Sequence, residues 1–270
     1  MKNIDKQIIM SYTSFKDKII NNLARYNYWG DGTFKGKSYK HIANITGRGK
    51  KDVILEIIKR DGVEIDKFRK PHPNAHHLNS SQIVCYEFFR PLINNKDNMV
   101  KALEIMEIPS CTFSTDNAEF EKEFVDGEGT NFDFCLPLGP QENLYVEVKY
   151  TEKGFGLCKD DENHKQKFEK IYKDRINNSF CIKDDLKGKI DFEQMRKHYQ
   201  LFRNTLQIQS PSDYVVFLFP EENSIAKKQF NDFKEQYLSS SGCQNVKGVY
   251  WESLIPLMSN LFKDKFFFYV

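Results

Sequence analysis

The chain has 270 residues, of which 40% are hydrophobic and 29% are charged, and this composition is typical of a globular protein with one large or two modest domains. Since no apolar run reaches about 18 residues and the N-terminus lacks an apolar signal core, we expect a cytoplasmic protein without a membrane span. Its six cysteines are scattered without a Cys-x-x-Cys pair, which argues against a zinc site and against a disulfide framework.

The formal net charge of +2 is unevenly distributed along the chain. Residues 1–78 carry 16 Lys or Arg and 8 Asp or Glu, a net charge of +8, whereas the remainder carries −6. This asymmetry favours a basic N-terminal arm that contacts a polyanion and an acidic part that holds a metal ion. The alternative is a Lys-rich solvated surface encoded by an AT-rich genome.

The N-terminal arm is predicted to be helical. Apolar residues recur with a helical period along Ser14–Tyr28, and a basic, Gly-containing loop precedes a second predicted helix, Asp52–Arg60. A helix N-terminus with free N–H groups and nearby cations binds phosphate readily. We therefore predict DNA-backbone contacts at Arg48, Lys50 and Lys51, with an ordinary surface loop as the alternative.

A connector follows the arm and leads into a third helix. Residues 67–77 contain prolines and histidines, and the histidines lack companion ligands at zinc spacing. Asn79, with Gln82 three residues later, has the sequence of a capping box at the start of a helix. Met99–Met106 is predicted as a short helix, and Ala118–Val125 alternates as a first sheet strand with Glu119, Glu121 and Glu123 on one face.

The next stretch predicts a β-hairpin. Asn131–Pro137 alternates polar and apolar residues, and Leu144–Tyr150 is rich in β-branched and aromatic residues. If Gly139–Gln141 form a three-residue loop, Asp133 lies directly opposite Glu147. The apolar residues of the second strand, Val146, Val148 and Tyr150, are then free to be buried on the other face.

Two opposed carboxylates repel each other unless a cation lies between them, because their Cβ atoms are about 4.5–5.5 Å apart. Hard oxygen ligands favour Mg²⁺ or Mn²⁺. Lys149 lies two residues after Glu147 and shares its face, so its ammonium group could orient a water or stabilise developing negative charge.

The rest of the chain alternates between helical and strand patterns. Asp191 and Gln194 form a cap pair at the start of a helix with an apolar stripe. The predicted elements are helix Asp191–Gln207, buried strand Asp213–Pro220, helix Ser224–Tyr237, strand Val246–Tyr250 and helix Glu252–Leu261.

The pattern of Asp133, a turn, and then Glu147 and Lys149 resembles the motif of the PD-(D/E)xK nuclease superfamily, which has the restriction-endonuclease-like fold. The leading proline of that motif is absent, since Phe132 precedes Asp133. The stretch Asn79–Leu92 is similar to the Ser-Ser-Gln start of the first helix in one bacterial subfamily. The alternative is an ordinary hairpin with an exposed charged face.

The resemblance implies a site. Asp133, Glu147 and the backbone carbonyl of Val148 would hold Mg²⁺, with Mn²⁺ as a substitute, and Lys149 would position the attacking water or help to deprotonate it.

Four further residues are candidates for this site. Glu87 and Glu121 are candidates for an additional metal ligand, with a solvated helix charge and a solvated edge face as their alternatives. Gln82 and Gln200 are candidates for support of the site, Gln82 also being a helix cap.

These observations predict an α/β protein with a mixed β-sheet flanked by helices, residues 1–78 forming a helical basic DNA-contacting arm and residues 79–270 a restriction-endonuclease-like catalytic domain. The expected function is metal-dependent hydrolysis of double-stranded DNA, most specifically by a homodimeric type II restriction endonuclease. A non-catalytic DNA-binding module with a vestigial site, a repair or recombination nuclease, and an RNA-directed nuclease are the alternatives.

Overall fold

The computed structural model describes residues 2–25, 33–34, 37–38, 79–109, 112–124 and 129–269. In the first helix, side chains are described for residues 10–20, 22 and 23. The predicted DNA-contacting residues Arg48, Lys50 and Lys51, the predicted helix Asp52–Arg60 and the connector 67–77 lie outside the described residues, so these remain predictions.

Helices make up much of the described chain. Asn95 caps α3 by accepting a hydrogen bond from the N–H of Asn98 at 3.1 Å, and a π-helical turn, Phe168–Tyr172, joins α4 to α5. In chain order the α-helices are α1 (Lys2–Arg25), α2 (Ser81–Ile93), α3 (Lys96–Ile105), α4 (Glu162–Lys167), α5 (Lys173–Asn178), α6 (Phe192–Lys197), α7 (Tyr199–Thr205), α8 (Ser224–Tyr237), α9 (Ser240–Asn245) and α10 (Asn260–Phe266).

A five-stranded mixed sheet forms the centre of the protein, in the order β3-β4-β5-β6-β7. The pairs β3–β4 and β4–β5 are antiparallel, whereas β5–β6 and β6–β7 are parallel. The predicted mixed sheet flanked by helices is thereby confirmed. The strands are β1 (Thr33–Phe34), β2 (Lys37–Ser38), β3 (Glu119–Glu123), β4 (Asn131–Gly139), β5 (Glu142–Val148), β6 (Tyr214–Phe219) and β7 (Val246–Tyr250).

Two predicted helices differ from the structure. The segment Asp191–Gln207 is interrupted at His198, whose ring lies against aromatic residues of α8, although its predicted capping box at Asp191 and Gln194 is present. The segment Glu252–Leu261 begins as the 3₁₀ helix Trp251–Leu257, because it contains a proline that cannot donate an α-helical hydrogen bond. The α-helix α10 follows it.

The sheet separates two hydrophobic clusters. On one face, Val146 and Val148 of β5 are fully buried with residues of α1, α2 and α10. On the other face, Tyr145 of β5 and Phe217 of β6 are buried with residues of α7 and α8. This alternation follows from the two-residue period of a strand, and it confirms the predicted burial of Val146, Val148 and Tyr150.

Helix α1 packs directly on this body, although the sequence assigns it to the arm of residues 1–78. Phe15, Ile19 and Leu23 are buried in the first cluster, and Phe15 makes an edge contact with the ring of Tyr269. The side chain of Asn22 donates hydrogen bonds to two main-chain carbonyls of α10. The helix is also longer than the predicted Ser14–Tyr28, since it begins at Lys2.

Within the described residues, no helix has both the length and the apolar character needed to cross a bilayer.

The turn of the β4–β5 hairpin is shorter than predicted. Gly139 pairs with Glu142, so the loop contains two residues instead of three, and the register shifts between Pro137 and Gly139. This irregularity restores the predicted register, because Phe134 pairs with Val146. Continued by one residue, that register sets Asp133 opposite Glu147.

Candidate active site

The ladder between β4 and β5 opens beside Asp133. The last main-chain pair is Phe134 with Val146, and the next N–H on that side, from Val148, donates to Oδ2 of Asp133 at 2.6 Å. Phe132 and Phe134 are two residues apart yet lie in different hydrophobic clusters, so the strand alternation breaks between them. The side chain of Asp133 thus takes the place of a main-chain acceptor at the open end of the hairpin.

Glu147 is buried, and three side chains hold its carboxylate. Lys149 Nζ and Gln200 Nε2 donate to Oε1 at 2.8 and 2.6 Å, and Asn204 Nδ2 donates to Oε2 at 2.9 Å. Gln200 and Asn204 are four residues apart on α7, so they stack on the same side of that helix. The two amides therefore fix the orientation of Glu147.

Lys149 is the cation of the cluster. Burial lowers the pKa of Lys149, but the carboxylates of Glu147, Glu152 and Asp133 more than offset this, so its pKa is raised above the ordinary value. Lys149 therefore carries a proton in the protein without metal, and it can donate a hydrogen bond or supply positive charge.

Burial raises the pKa of Asp133 well above its usual range, and the neighbouring charges of Glu147 and Glu121 raise it further. Lys149 and the Val148 N–H act in the opposite direction without cancelling this effect. Asp133 therefore ionises less readily than an ordinary aspartate in the protein without metal, and a cation bound beside it would favour its ionised form.

Glu121 lies on β3, across from Asp133. The β3–β4 register pairs Phe120 with Phe134 and Lys122 with Phe132, which sets Glu121 opposite Asp133 between them. Glu121 has a φ of 54°, in the left-handed region that non-glycine residues rarely occupy. Such backbone strain persists only where the surrounding structure holds it, and it often accompanies a functional site.

The carboxylate of Glu121 accepts hydrogen bonds from Asn131 Nδ2 at 3.0 Å and from the side chain of Gln82. Burial raises its pKa to about 6, with Glu147 contributing, although these hydrogen bonds lower it. The structure therefore brings Glu121 and Gln82 to the same site as Asp133.

A cleft of about 440 Å³ opens onto this cluster. Helix α1, the start of α2, strands β3 and β4 and the segment after β5 all contribute to its walls. The lining residues are Lys16, Asn79, Ser80, Ser81, Gln82, Glu121, Asn131, Asp133, Lys149, Thr151, Glu152 and Gln200.

Glu87, a sequence candidate for a metal ligand, does not belong to this cluster. Its carboxylate accepts hydrogen bonds from Lys265 Nζ at 2.9 and 3.0 Å, and both side chains are almost completely buried. The residue that forms this ion pair is 178 positions away, so the sequence pattern of α2 gave no indication of it. We therefore withdraw Glu87 as a candidate ligand.

The start of α2 also differs from the predicted capping box. Ser80, not Asn79, is the N-cap, and its hydroxyl accepts from the N–H of Ile83 at 3.4 Å. The side chain of Asn79 instead donates to the hydroxyl of Thr151. Gln82 is released from a capping role and reaches Glu121.

The donor chemistry of the cluster fits a hard divalent cation. Oδ1 of Asp133 accepts no hydrogen bond from the residues that the structure describes, and the neighbouring carboxylates of Glu147 and Glu121 favour a cation here. The carbonyl of Val148 opens towards β4 and Asp133, since the N–H and C=O of one strand residue point to the same side.

Among the described residues, however, no three acidic, histidine or cysteine side chains lie close enough together to hold a metal by themselves. Water and a main-chain carbonyl would complete the coordination, as Mg²⁺ commonly permits.

Sequence reasoning missed Asn204 and Asn131. Asn204 is fully buried on α7 and lies 57 residues from Glu147. The only signal in the sequence was its position four residues after Gln200, among apolar neighbours. Asn131 was placed at the start of β4 without a role, and its two-residue spacing from Asp133 was the signal that it shares a strand with the site.

Comparison with known protein families gives a match to the family described as Restriction Endonuclease associating with ARP, over residues 25–266. No curated protein and no solved structure gives a significant match. The matched range contains Asp133, Glu147, Lys149 and all of α7, and it includes only the last residue of α1.

Proposed function

The chain belongs to the family of restriction endonucleases associating with ARP, and on this premise we propose that it is a metal-dependent endonuclease that hydrolyses phosphodiester bonds in double-stranded DNA. The observation that carries the proposal is the cluster of Asp133, Glu147 and Lys149 at the open end of the β4–β5 hairpin, in which Asp133 and Lys149 line a cleft and Glu147 is buried behind them.

Asp133, Glu147 and the carbonyl of Val148 are the groups that would hold the metal, and Glu121 is the candidate for an additional ligand. A bound Mg²⁺ or Mn²⁺ would supply Lewis-acid polarisation of the phosphate and a lower pKa for a bound water. The carboxylates of Glu147 and Glu121 beside Asp133 support this assignment.

Lys149 provides a positive charge beside the scissile phosphate. Lys149 can position an attacking water or help to deprotonate it, and its charge can stabilise the negative charge that develops on the phosphate. Its hydrogen bond to Glu147 at 2.8 Å fixes the ammonium group in the cleft before a substrate binds.

Gln200 and Asn204 orient Glu147 from α7. A buried carboxylate without such partners would be free to rotate, and two amide donors restrict that rotation. These residues act through Glu147, and Gln82 acts through Glu121 in the same way.

The finer proposal is a type II restriction endonuclease that acts as a homodimer on a two-fold symmetric DNA site, since a two-fold protein matches a two-fold sequence. Digestion of a plasmid of known sequence, followed by sequencing of the ends, tests it. Ends that map to one palindromic sequence support restriction, and ends at many unrelated sequences favour a repair or recombination nuclease.

The metal requirement is tested by incubating the purified protein with several different plasmids in Mg²⁺, in Mn²⁺ and in EDTA. Cleavage in either metal and none in EDTA supports the proposal, whereas undiminished cleavage in EDTA overturns the metal mechanism. DNA binding without cleavage of any substrate would favour a non-catalytic DNA-binding module.

A further inference from the structure

Helix α1 contributes a cation to the wall of the catalytic cleft. Lys16 lines the cleft together with Asn79, Thr151 and Glu152, and it lies in the part of α1 that precedes the family match. Neither the sequence patterns nor the family membership assigns a role to this residue.

The position of Lys16 is fixed by its neighbours on the helix. The hydroxyl of Tyr12, one turn earlier on the same side, is buried and donates to the main-chain carbonyl of Thr151 at 2.9 Å. Phe15 and Ile19, on either side of Lys16 along the helix, are buried in the core. The helix therefore presents Lys16 to the cleft from a rigid support.

Lys16 has no hydrogen bond or ion pair with any of the residues that the structure describes. Lys18, two positions away, lies instead near Glu222, with its Nζ 3.6 Å from the carboxylate. Glu152 also lines the cleft, and its carboxylate accepts a hydrogen bond from the N–H of Tyr150 at 2.6 Å. The ammonium group of Lys16 is thus available to an external anion.

Two groups of residues can be distinguished among those that line the cleft. Asp133, Glu121 and Asn131 belong to the sheet, whereas Lys16 comes from α1, and Ser80 and Ser81 come from the start of α2. The positive end of the α2 dipole adds to the charge of Lys16. A DNA strand that places one phosphate at the catalytic cluster has further phosphates at regular spacing along its backbone.

We propose that Lys16 binds a backbone phosphate of the DNA strand that is cut, close to the phosphate held at Asp133 and Lys149. This inference rests on the proposed nuclease function. It makes α1 part of the substrate-binding surface, with Tyr12 as the residue that positions Lys16.

The test measures the salt dependence of DNA binding. A duplex of mixed sequence is titrated in EDTA against Asp133→Asn protein that carries in addition Lys16→Ala, Lys16→Arg or, as the matched control on the same helix, Lys18→Ala. Removal of one protein–phosphate interaction lowers the slope of log affinity against log salt by about 0.9. We expect this decrease for Lys16→Ala and retention of the slope for the other two variants.

Cleavage of plasmid by Lys16→Ala in an otherwise wild-type protein is measured in parallel. We expect Lys16→Ala to cut more slowly than the wild type, and its cleavage rate to be no more sensitive to high salt. Its thermal melt should match that of the wild type. Equal slopes and equal cleavage for Lys16→Ala and Lys18→Ala would overturn the inference and leave the nuclease proposal intact. Absence of both binding and cleavage in the parent proteins would overturn the nuclease proposal as well.

Discussion

The carboxylate of Asp133 accepts a hydrogen bond from the main-chain N–H of Val148 at 2.6 Å, beyond the last main-chain pair between β4 and β5. This hydrogen bond links β4 to β5 at the open end of the hairpin. The second carboxylate oxygen then points away from the ladder. The carboxylate of Asp133 is thus both a structural hydrogen-bond acceptor and a candidate metal ligand.

Asp133→Asn separates these two roles, because the amide oxygen can still accept from Val148 while the negative charge is removed. Burial and the charges of Glu147 and Glu121 raise the pKa of Asp133, so its ionised form destabilises the fold without metal. We therefore expect the variant in EDTA to be as stable as the wild type or more stable.

Thermal melts with and without Mg²⁺ or Mn²⁺ measure this. The wild type should gain stability from metal that binds the folded state, and Asp133→Asn should lose most of that gain and retain DNA binding. A variant with the wild-type metal response would show that Asp133 is not a ligand.

Asn204→Ala and Gln200→Ala should weaken metal binding while the protein remains folded. Each removes a donor to Glu147, at 2.9 and 2.6 Å respectively, and a hydrogen bond to a charged group contributes about 1.5–3 kcal/mol. We expect cleavage to need a roughly tenfold or higher metal concentration. Gln209→Ala, at an exposed position after α7, is the control and should behave as the wild type.

Cleavage as a function of Mn²⁺ concentration checks this, together with direct titration of Mn²⁺ in the absence of DNA. Identical metal curves for Asn204→Ala and the control would show that the amide only fills space.

Glu121→Gln should impair cleavage, whereas Glu119→Gln should not. Glu121 faces the cleft, while Glu119 on the same strand is exposed and pairs with Lys122. Removal of one charge next to Asp133 should lower metal affinity by about tenfold if Glu121 contributes to the metal site. Metal titration of the two variants decides it, and matching affinities would leave Glu121 as a strained strand residue without a role in metal binding.

Glu87 and Lys265 should prove essential for stability and not for chemistry. Breaking a buried ion pair by removal of one of its members costs about 3–5 kcal/mol. We expect Glu87→Leu and Lys265→Met each to lower the free energy of unfolding by roughly this amount, and the double variant that combines them to recover much of it. Chemical denaturation of the four proteins measures these changes, and additive losses in the double variant would contradict the pairing.

The basic residues Arg48, Lys50 and Lys51 remain predicted DNA contacts. Each of the three that binds a phosphate should, when replaced with alanine, lower the salt slope of DNA binding by about 0.9. An unchanged slope in the triple variant would assign the backbone contacts to other residues, Lys16 among them.

Local patterns predicted much of the hairpin and its site. The two-residue period fixed the faces of Val146, Glu147, Val148 and Lys149, and the register that sets Asp133 opposite Glu147 emerged although the turn is one residue shorter than expected. An irregularity at Pro137 compensates for that difference, and no sequence rule specifies its position.

Contacts between distant parts of the chain could not be predicted in the same way. The amide of Asn204 reaches Glu147 only because α7 packs on the sheet. Glu87 forms an ion pair with Lys265 of α10. The left-handed backbone at Glu121 is likewise a property of the assembled strands.

Asp133, Glu147 and Lys149 are proposed to form one catalytic site for DNA cleavage. Single-turnover cleavage of a plasmid that the wild type cuts tests this most directly. Asp133→Asn, Glu147→Gln and Lys149→Ala are compared with Lys18→Ala at saturating protein and Mg²⁺, with binding of the same DNA measured for each protein. We predict that the first three variants bind DNA but cut it at least about 10² times more slowly, while Lys18→Ala cuts normally. Wild-type cleavage rates in the Asp133, Glu147 and Lys149 variants would contradict it.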